Sequence, residues 1–562
     1  MVTRIAMAAR SSQPNDDETI RSRIEVVTQD LRDLDHFYKV STSEERKSRL
    51  REYYDEQLSC LEQMQFGGFS QQGKVDYLLL KGHLERLQQQ LELDAARDEK
   101  MTAALPFASA ITDLIMSRQH VKPMDSKKAA QAIHDIHQEI LSTGRKLQKA
   151  EIRVDRTSSY RAAKTLSELR GHLAEWYGFY TGYDPRFTWW VSEPYAKLDK
   201  EIETYTAAVR EKLVGIKPGD DDAIVGQPIG RDGLLVELEA EKISYTPEEL
   251  LWIGEQEYAW VQTELKTISA RMGFGDDWQR TIAAVREDYV EPGKQTELVR
   301  ELTDEAIDFV KKHDLLTVPR VAEEAIRMFM MTPARQKVNP FFLGGESIIV
   351  SYPTDRMEHE DKLMSLRGNN IHYSRSTVFH ELIPGHHLQW HMNSRYRPYR
   401  QLFMTPFWTE GWSLYWEFLL WEDHRFPKTD YNRVGMLFWR LHRCVRIIFS
   451  IKFHLRQANA QECVDMLVNR GGHERATAEG EVRRSLNGSY SPLYQAGYML
   501  GALQWYSLRR EIVVGGKVPE KQFHDAILHN NMMPIEFARA ILTDQPLNPN
   551  YKASWRFYDD RT

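Results

Sequence analysis

Residues 376–392, STVFHELIPGHHLQWHM, hold the pattern around which the rest of the chain is read: His380-Glu381, followed within two turns by His386 and His387. A zinc hydrolase needs neutral imidazoles for the metal and one carboxylate beside them to move a proton. In the HExxH arrangement the two histidines sit at i and i+4, about 40° apart on one helix face. Here Pro384 occupies i+4. On an unbroken helix His386 would point roughly 240° around the axis, and His387, back on the face, would lie about 10 Å along it, too far to share an ion with His380. A straight helix cannot build this site. Pro384 has no N–H and clashes with the carbonyl of His380, while Gly385 accepts almost any backbone angles, so the pair suits a local bulge that loops two residues out of the helix. That bulge would turn HELI(PG)H into a working HExxH. His380 and His386 are then the candidate ligands of one zinc ion, Glu381 the candidate general base and His387 the reserve ligand.

A catalytic zinc takes a third protein ligand and keeps a position for water. The segment 407–424, FWTEGWSLYWEFLLWEDH, reads as an amphipathic helix with Glu410 and Glu417 on one face. Glu410 follows His386 by 24 residues, enough for one helix to end, a loop to turn and a second helix to return. Glu410 is the expected third ligand. Glu417 lies two turns further, a position suited to orienting a ligand histidine.

Working outward, the chain before this motif is a succession of helical patterns from Asp17 to about Leu213, with apolar residues at three- and four-residue steps. Their many charges are solvated faces and i,i+4 pairs. The periodicity stops in GIKPGDDDAIVGQPIGRDGL, where Gly, Pro and Asp crowd together and predict a lobe boundary or a long loop near the site entrance. The expected organisation is a flexible leader at 1–16, an N-terminal helical lobe at 17–225 and a catalytic helical lobe at 226–562. Thr246-Pro247 predicts a capped helix start and Gly273 its stop. Ser347 to Tyr352 is the most strand-like stretch. It reads either as an edge strand able to pair with an extended substrate, with Gly344-Gly345 allowing close approach, or as a short hairpin that packs the site. The later helix GMLFWRLHRCVRIIFSIKFHLRQ carries Arg443, Arg446, Ser450 and His454 as one polar stripe. Arg443 reads as structural. Arg446 and His454 read as groups facing a substrate channel, or as members of buried pairs with acids such as Glu417, Glu479 or Glu481.

The composition excludes several classes. With 42% hydrophobic and 28% charged residues the chain can bury a large core, and a net charge of −7 speaks against a nucleic-acid or anionic-membrane partner, whose phosphates demand a basic face. The three cysteines form no paired spacing, which predicts neither a disulfide framework nor a thiolate metal site. The N-terminal MVTRIAMAARSSQPNDDE lacks the apolar core of a signal peptide, and no run of eighteen apolar residues occurs, so the expectation is a cytoplasmic protein.

Three stretches, HELIPGHHLQ, EGWSLYWE and EVRRSLNGSYSPLYQAGYMLG, together with IGRDGLLVELEAEKISYTPEELLWIGEQEY upstream and FHDAILHNNMMPIEFARAIL downstream, resemble the domain of unknown function 885 family, a mainly bacterial group of zinc-metallopeptidase-like proteins. More distantly the order of motifs is similar to thimet-oligopeptidase-like, angiotensin-converting-enzyme-like and thermostable-carboxypeptidase-like helical gluzincins. The resemblance implies a mainly α, two-lobed helical fold with a deep channel and a small β element beside the histidine helix. It also implies that Tyr498, after Gly497, donates to a tetrahedral intermediate, with Tyr490 as second choice. The chain departs from the family pattern where Asp usually stands at Ser450 and Gly at Lys452. The expected activity is zinc-dependent hydrolysis of amide bonds in short peptides, as a metallopeptidase of oligopeptidase or carboxypeptidase type. The alternatives are a zinc amidohydrolase for a non-peptide metabolite, a non-hydrolytic metalloenzyme and a helical binding protein with a dead site. The expected partners are a short peptide or small amide, with no nucleic acid and no membrane.

Overall fold

The computed structural model describes residues 17–220, 223–336 and 341–558. Among the described residues the fold is all-α, as the helical periodicity of the sequence predicts, with two four-residue strands. The proposed leader at 1–16 lies outside the described residues. Many helices begin at a residue whose side chain accepts a backbone N–H left over by the first turn, an arrangement worth about 1 kcal/mol each. Asp125, Asp155 and Asp184 do so for three long N-terminal helices. Thr246 and Glu249 form a capping box at the start of α1 (Pro247–Arg271), with Pro247 in the first turn as expected. Gly273 follows that helix at φ 87°, a conformation that suits glycine.

Apolar residues gather into two principal cores. The larger joins residues between Ile20 and Leu84 to residues between Leu234 and Tyr558. The smaller takes Val40 and residues between Met101 and Val209. The long helix Gln71–Glu99 leads from one to the other. Its first half buries Val75, Leu78, Leu80 and Leu84 in the large core. Near its end Asp98 meets Lys47 at 3.2 Å and Arg161 at 2.8 Å. In the smaller core Ile133, Ile136, Ile140 and Leu147 form one face of helix Ser126–Gln148, which packs on helix Pro185–Val209.

The site lies in the large core, among α2 (Ile371–Glu381), α3 (His386–Asn393), α4 (Pro406–Glu422), α5 (Asp430–His454), α6 (Arg475–Leu486) and α7 (Tyr494–Arg509). The sequence predicts an amphipathic α4. Instead every residue from Phe407 to Leu420 is buried, because the helix has neighbours all round, α2 and α7 among them. Its closest approach is to α7. A Cβ on Gly411 would lie 2.6 Å from the Gly501 Cα, and one on Gly501 2.2 Å from the Phe407 carbonyl oxygen. Only glycines permit that crossing.

The strand-like stretch forms β2 (Ser347–Val350), paired in parallel with β1 (Arg327–Met330) rather than in a hairpin. Its other side is not open along its length. Ile349 donates to Leu343 O at 2.7 Å and Leu343 donates back at 3.1 Å. The edge expected for substrate pairing is therefore occupied at Ile349 by the chain itself. Ile348 and Val350 face a small apolar cluster with Val378 and Leu382, which ties the β element to α2.

Three buried histidines make the fold sensitive to acid. Burial lowers His524 to about 4, His473 to about 3 and His454 to about 4. His524 is held in its neutral form, Nδ1–H on the Leu315 carbonyl at 2.7 Å and Nε2 accepting from Tyr415 at 2.8 Å. In the unfolded chain each ring takes a proton near about 6.5, so their contribution is intact above that pH and is lost as the pH falls towards the folded values. Each ring that must be protonated costs about 1.4 kcal/mol per pH unit across that window. The melting temperature is expected to fall steeply between about pH 6.5 and 4. His524→Asn and His473→Asn should each flatten the slope, as thermal melts against pH would show.

Candidate metal centre

The helix carrying His380 does not bulge at Pro384-Gly385. It ends. α2 stops at Glu381, Leu382 to Gly385 leave helical geometry, and α3 starts afresh at His386. The break is held from several sides. Leu382 and Ile383 turn into the apolar interior, the Pro384 carbonyl accepts from Trp412 Nε1 at 2.9 Å, and Leu388 N–H donates to Leu382 O at 3.3 Å. Gly385 passes so close to the end of α2 that a Cβ there would sit 1.9 Å from the His380 carbonyl oxygen. The expected consequence holds although the device differs: the two imidazoles come together, ring centroids 4.9 Å apart and nearly perpendicular.

Glu410 completes the cluster. His380 Nε2 lies 3.3 Å and His386 Nε2 3.1 Å from the same oxygen, Oε2 of Glu410. One ligand atom from each of the three residues lies within 4.8 Å of the others, and all three residues are buried. The remaining polar atoms are anchored elsewhere. His380 Nδ1 is 2.9 Å from Glu417 Oε1, and His386 Nδ1 is 3.3 Å from Ser413 Oγ. Glu417 also accepts from Ser376 at 3.0 Å and from Arg443 at 3.2 Å. The second oxygen of Glu410 accepts from Tyr494 OH. With both Nδ1 atoms oriented, two Nε2 atoms and one carboxylate oxygen are left to share a single point, and this donor set fits a divalent cation of the zinc type.

Burial opposes charge on His380, but its bonds to Glu410 and Glu417 outweigh that and raise it to about 9. Burial likewise opposes charge on Glu410, yet His386 and His380 hold its carboxyl well below the usual range. Glu417 is lowered against its own burial by Arg443 and His380. Glu381 goes the other way. Burial raises it, only partly offset by the two histidines.

Glu381 lines a cavity of about 80 Å³ beside the cluster, together with His380, Arg443, Arg446, Arg484 and Tyr498. The chain at Gly344 lies directly on it, since a Cβ there would be 2.2 Å from Glu381 Oε2. The close approach expected of the glycine pair is therefore made against the candidate base. The Tyr498 ring lies nearly parallel to the His380 ring, 6.0 Å between centroids, and the Arg446 guanidinium sits 4.2 Å from the centre of the same tyrosine ring. Arg446 pairs with Glu481 at 2.9 Å, one of the acids anticipated for it.

Three candidates stand apart. Both ring nitrogens of His387 face backbone carbonyls, Ala322 O at 2.7 Å and Glu346 O at 3.0 Å, so this ring braces the β element and does not reach the cluster. His454 ends α5 away from the cavity, its Nδ1 accepting from Ile229 N–H at 3.4 Å, which anchors the chain just before the helix Gly230–Ala240. Tyr490 packs on Tyr494 at 4.2 Å between ring centroids and is not part of the cavity lining. Four contributors escaped the sequence reading: Tyr494, Ser413, Ser376 and Arg484. Ser413, three residues after Glu410, was open to discovery as the same helix face. Tyr494 depends on the register of α4 against α7, which no local pattern encodes.

No helix among the described residues is long and apolar enough to cross a membrane. Two solved structures share the fold. One, from Shewanella oneidensis, has a TM-score of 0.67 at 16% identity and covers 94% of this chain and 99% of its own. The other, from Colwellia psychrerythraea, has a TM-score of 0.51 at 17% identity over 75% of this chain and 77% of its own. Each is described as a "putative lipoprotein", the first also as of unknown function, and these descriptions concern those proteins. No curated protein matches the chain. The family model described as "Bacterial protein of unknown function (DUF885)" matches residues 35–542, and the chain belongs to that family.

Proposed function

We propose that the protein is a zinc-dependent hydrolase of amide bonds in short peptides, related in chemistry to the helical gluzincins. The observation that carries the reading is the convergence of His380 Nε2 and His386 Nε2 on one Glu410 oxygen, with the Glu381 carboxylate in the adjoining cavity. A bound zinc ion would lower the pKa of water and polarise a carbonyl. Glu381 takes a proton from the attacking water, whose oxygen bonds to the acyl carbon, and delivers that proton to the nitrogen as the C–N bond breaks. Burial raises the Tyr498 phenol well above its ordinary range, so it remains a donor and can stabilise the developing oxyanion. Glu417 and Ser413 fix the two imidazoles so that their Nε2 atoms keep their direction.

A second reading, a zinc amidohydrolase for a small metabolite, is favoured by the cavity. At about 80 Å³ it is far below the few hundred cubic ångströms of an ordinary ligand site. The test common to both is metal analysis of the purified chain followed by a panel of blocked di- to hexapeptides and acylated small amines. About one zinc per chain is expected, with cleavage abolished by a chelator and restored by zinc. Absence of metal-dependent cleavage anywhere in the panel, with zinc bound, ends the hydrolase reading.

A further inference from the structure

Besides Glu381, the cavity that holds it is lined by three arginines and one further acid, Glu481. Arg443 and Arg446 come from α5 and Arg484 from α6. These three guanidinium groups share two carboxylates. Glu481 pairs with Arg446 at 2.9 Å and Arg484 at 2.7 Å, and Glu417 pairs with Arg443 at 3.2 Å while also engaged by His380. The Arg443 and Arg446 side chains are only 8% and 3% exposed. Nε and Nη1 of Arg443 and Nε of Arg446 have no hydrogen-bond partner among the described residues. A buried cation with unmatched donors is costly, and the cost is removed when an anion completes its hydrogen bonds. Planar guanidinium forks match a carboxylate or a phosphate bidentately, and of the two it is the carboxylate that the free end of a peptide carries.

The position of these groups relative to the candidate centre limits where such a carboxylate can belong. Arg443 is one carboxylate away from His380, through Glu417. Arg446 lies 4.2 Å from the centre of the Tyr498 ring, which itself lies 6.0 Å from the His380 ring. Arg443, Arg446 and Glu381 line the same small cavity, so a carboxylate bound by the arginines would lie next to an amide placed at Glu381. In a peptide this is the α-carboxylate of the residue that carries the leaving nitrogen.

We propose that the substrate is an N-acyl amino acid or short peptide whose free α-carboxylate is held by Arg443 and Arg446, so that the C-terminal residue is the one released. The inference rests on the amide-hydrolase reading above and specifies its substrate. Water supplies OH to the acyl carbon and a proton to the leaving nitrogen, the C–N bond breaks, and the products are a shortened acid and a free amino acid. No other reactant is required. Arg443 and Arg446 bind and position the substrate, and the departing residue carries its carboxylate out with it.

The experiment separates this proposal from the reading beneath it. Zinc-loaded Glu381→Gln serves as a binding form, titrated calorimetrically with acetylated dipeptides as free acids and as C-terminal amides of the same sequence. The acid is expected to bind about ten- to a hundredfold more tightly. Arg446→Gln in that background should erase the difference, and Arg446→Lys should restore part of it, with thermal melts showing that each variant is folded. Equal affinity for acid and amide, or no binding of either, overturns the carboxylate proposal. If the wild-type chain then still cleaves both forms, the hydrolase reading stands alone. An acid preference that depends on Arg446, combined with no cleavage of any amide by the wild-type chain, upholds the carboxylate site and ends the hydrolase reading.

Discussion

Glu381→Gln is expected to retain its zinc and lose about a hundred- to ten-thousandfold in kcat. The substitution keeps the shape of the side chain and removes its ability to take a proton. The three atoms that converge belong to His380, His386 and Glu410, so metal content should not change. The variant also loses a buried carboxylate whose burial already raises its pKa, which spares the fold a desolvated charge. Metal analysis, a thermal melt and steady-state kinetics together distinguish the outcomes. Turnover close to wild type would remove Glu381 from the proposed chemistry, whereas loss of both metal and turnover would make it a ligand.

Gly385→Ala should be nearly as severe by a different route. The added Cβ meets backbone atoms, 1.9 Å from His380 O and 2.5 Å from both His380 C and Phe379 O, and no side chain can swing aside to admit it. The end of α2 and the start of α3 must separate, and this carries His386 away from His380. Overpacking in a core commonly costs about 1–3 kcal/mol, and a clash with backbone belongs at or above the top of that range. Zinc affinity is expected to fall by about a hundredfold or more, the scale on which metal sites respond to displaced ligands. A competition titration with a chromogenic chelator would measure it. Wild-type affinity in this variant would mean that the close passage at Gly385 does not hold the two imidazoles together.

These two predictions mark where local reading succeeds and where it stops. His380, Glu381, His386 and Glu410 were legible because their spacing across Pro384-Gly385 and into the next helix has a direct chemical interpretation, and the structure brings all four to one place. A bulge within one helix and a break into two helices have the same sequence signature. They are told apart by the anchors that receive the freed chain, Trp412 for the Pro384 carbonyl and the apolar interior for Leu382 and Ile383. The burial of α4 on every side was likewise hidden, because an amphipathic pattern marks the apolar face that must be covered and does not show that neighbouring helices cover the other faces too.

The described residues carry helical periodicity and cap residues that determine an all-α chain by themselves, since both depend on side chains within one or two turns of each other. The tertiary structure alone decided which nitrogen of each histidine remains available, that His387 and His454 serve backbone carbonyls or amides instead of the cluster, and that Arg443 and Arg446 line the same cavity as Glu381. Those outcomes are set by side chains from helices tens to hundreds of residues apart. Their distances depend on how closely α4, α5 and α7 pack, a property of the assembled core that no single helix contains.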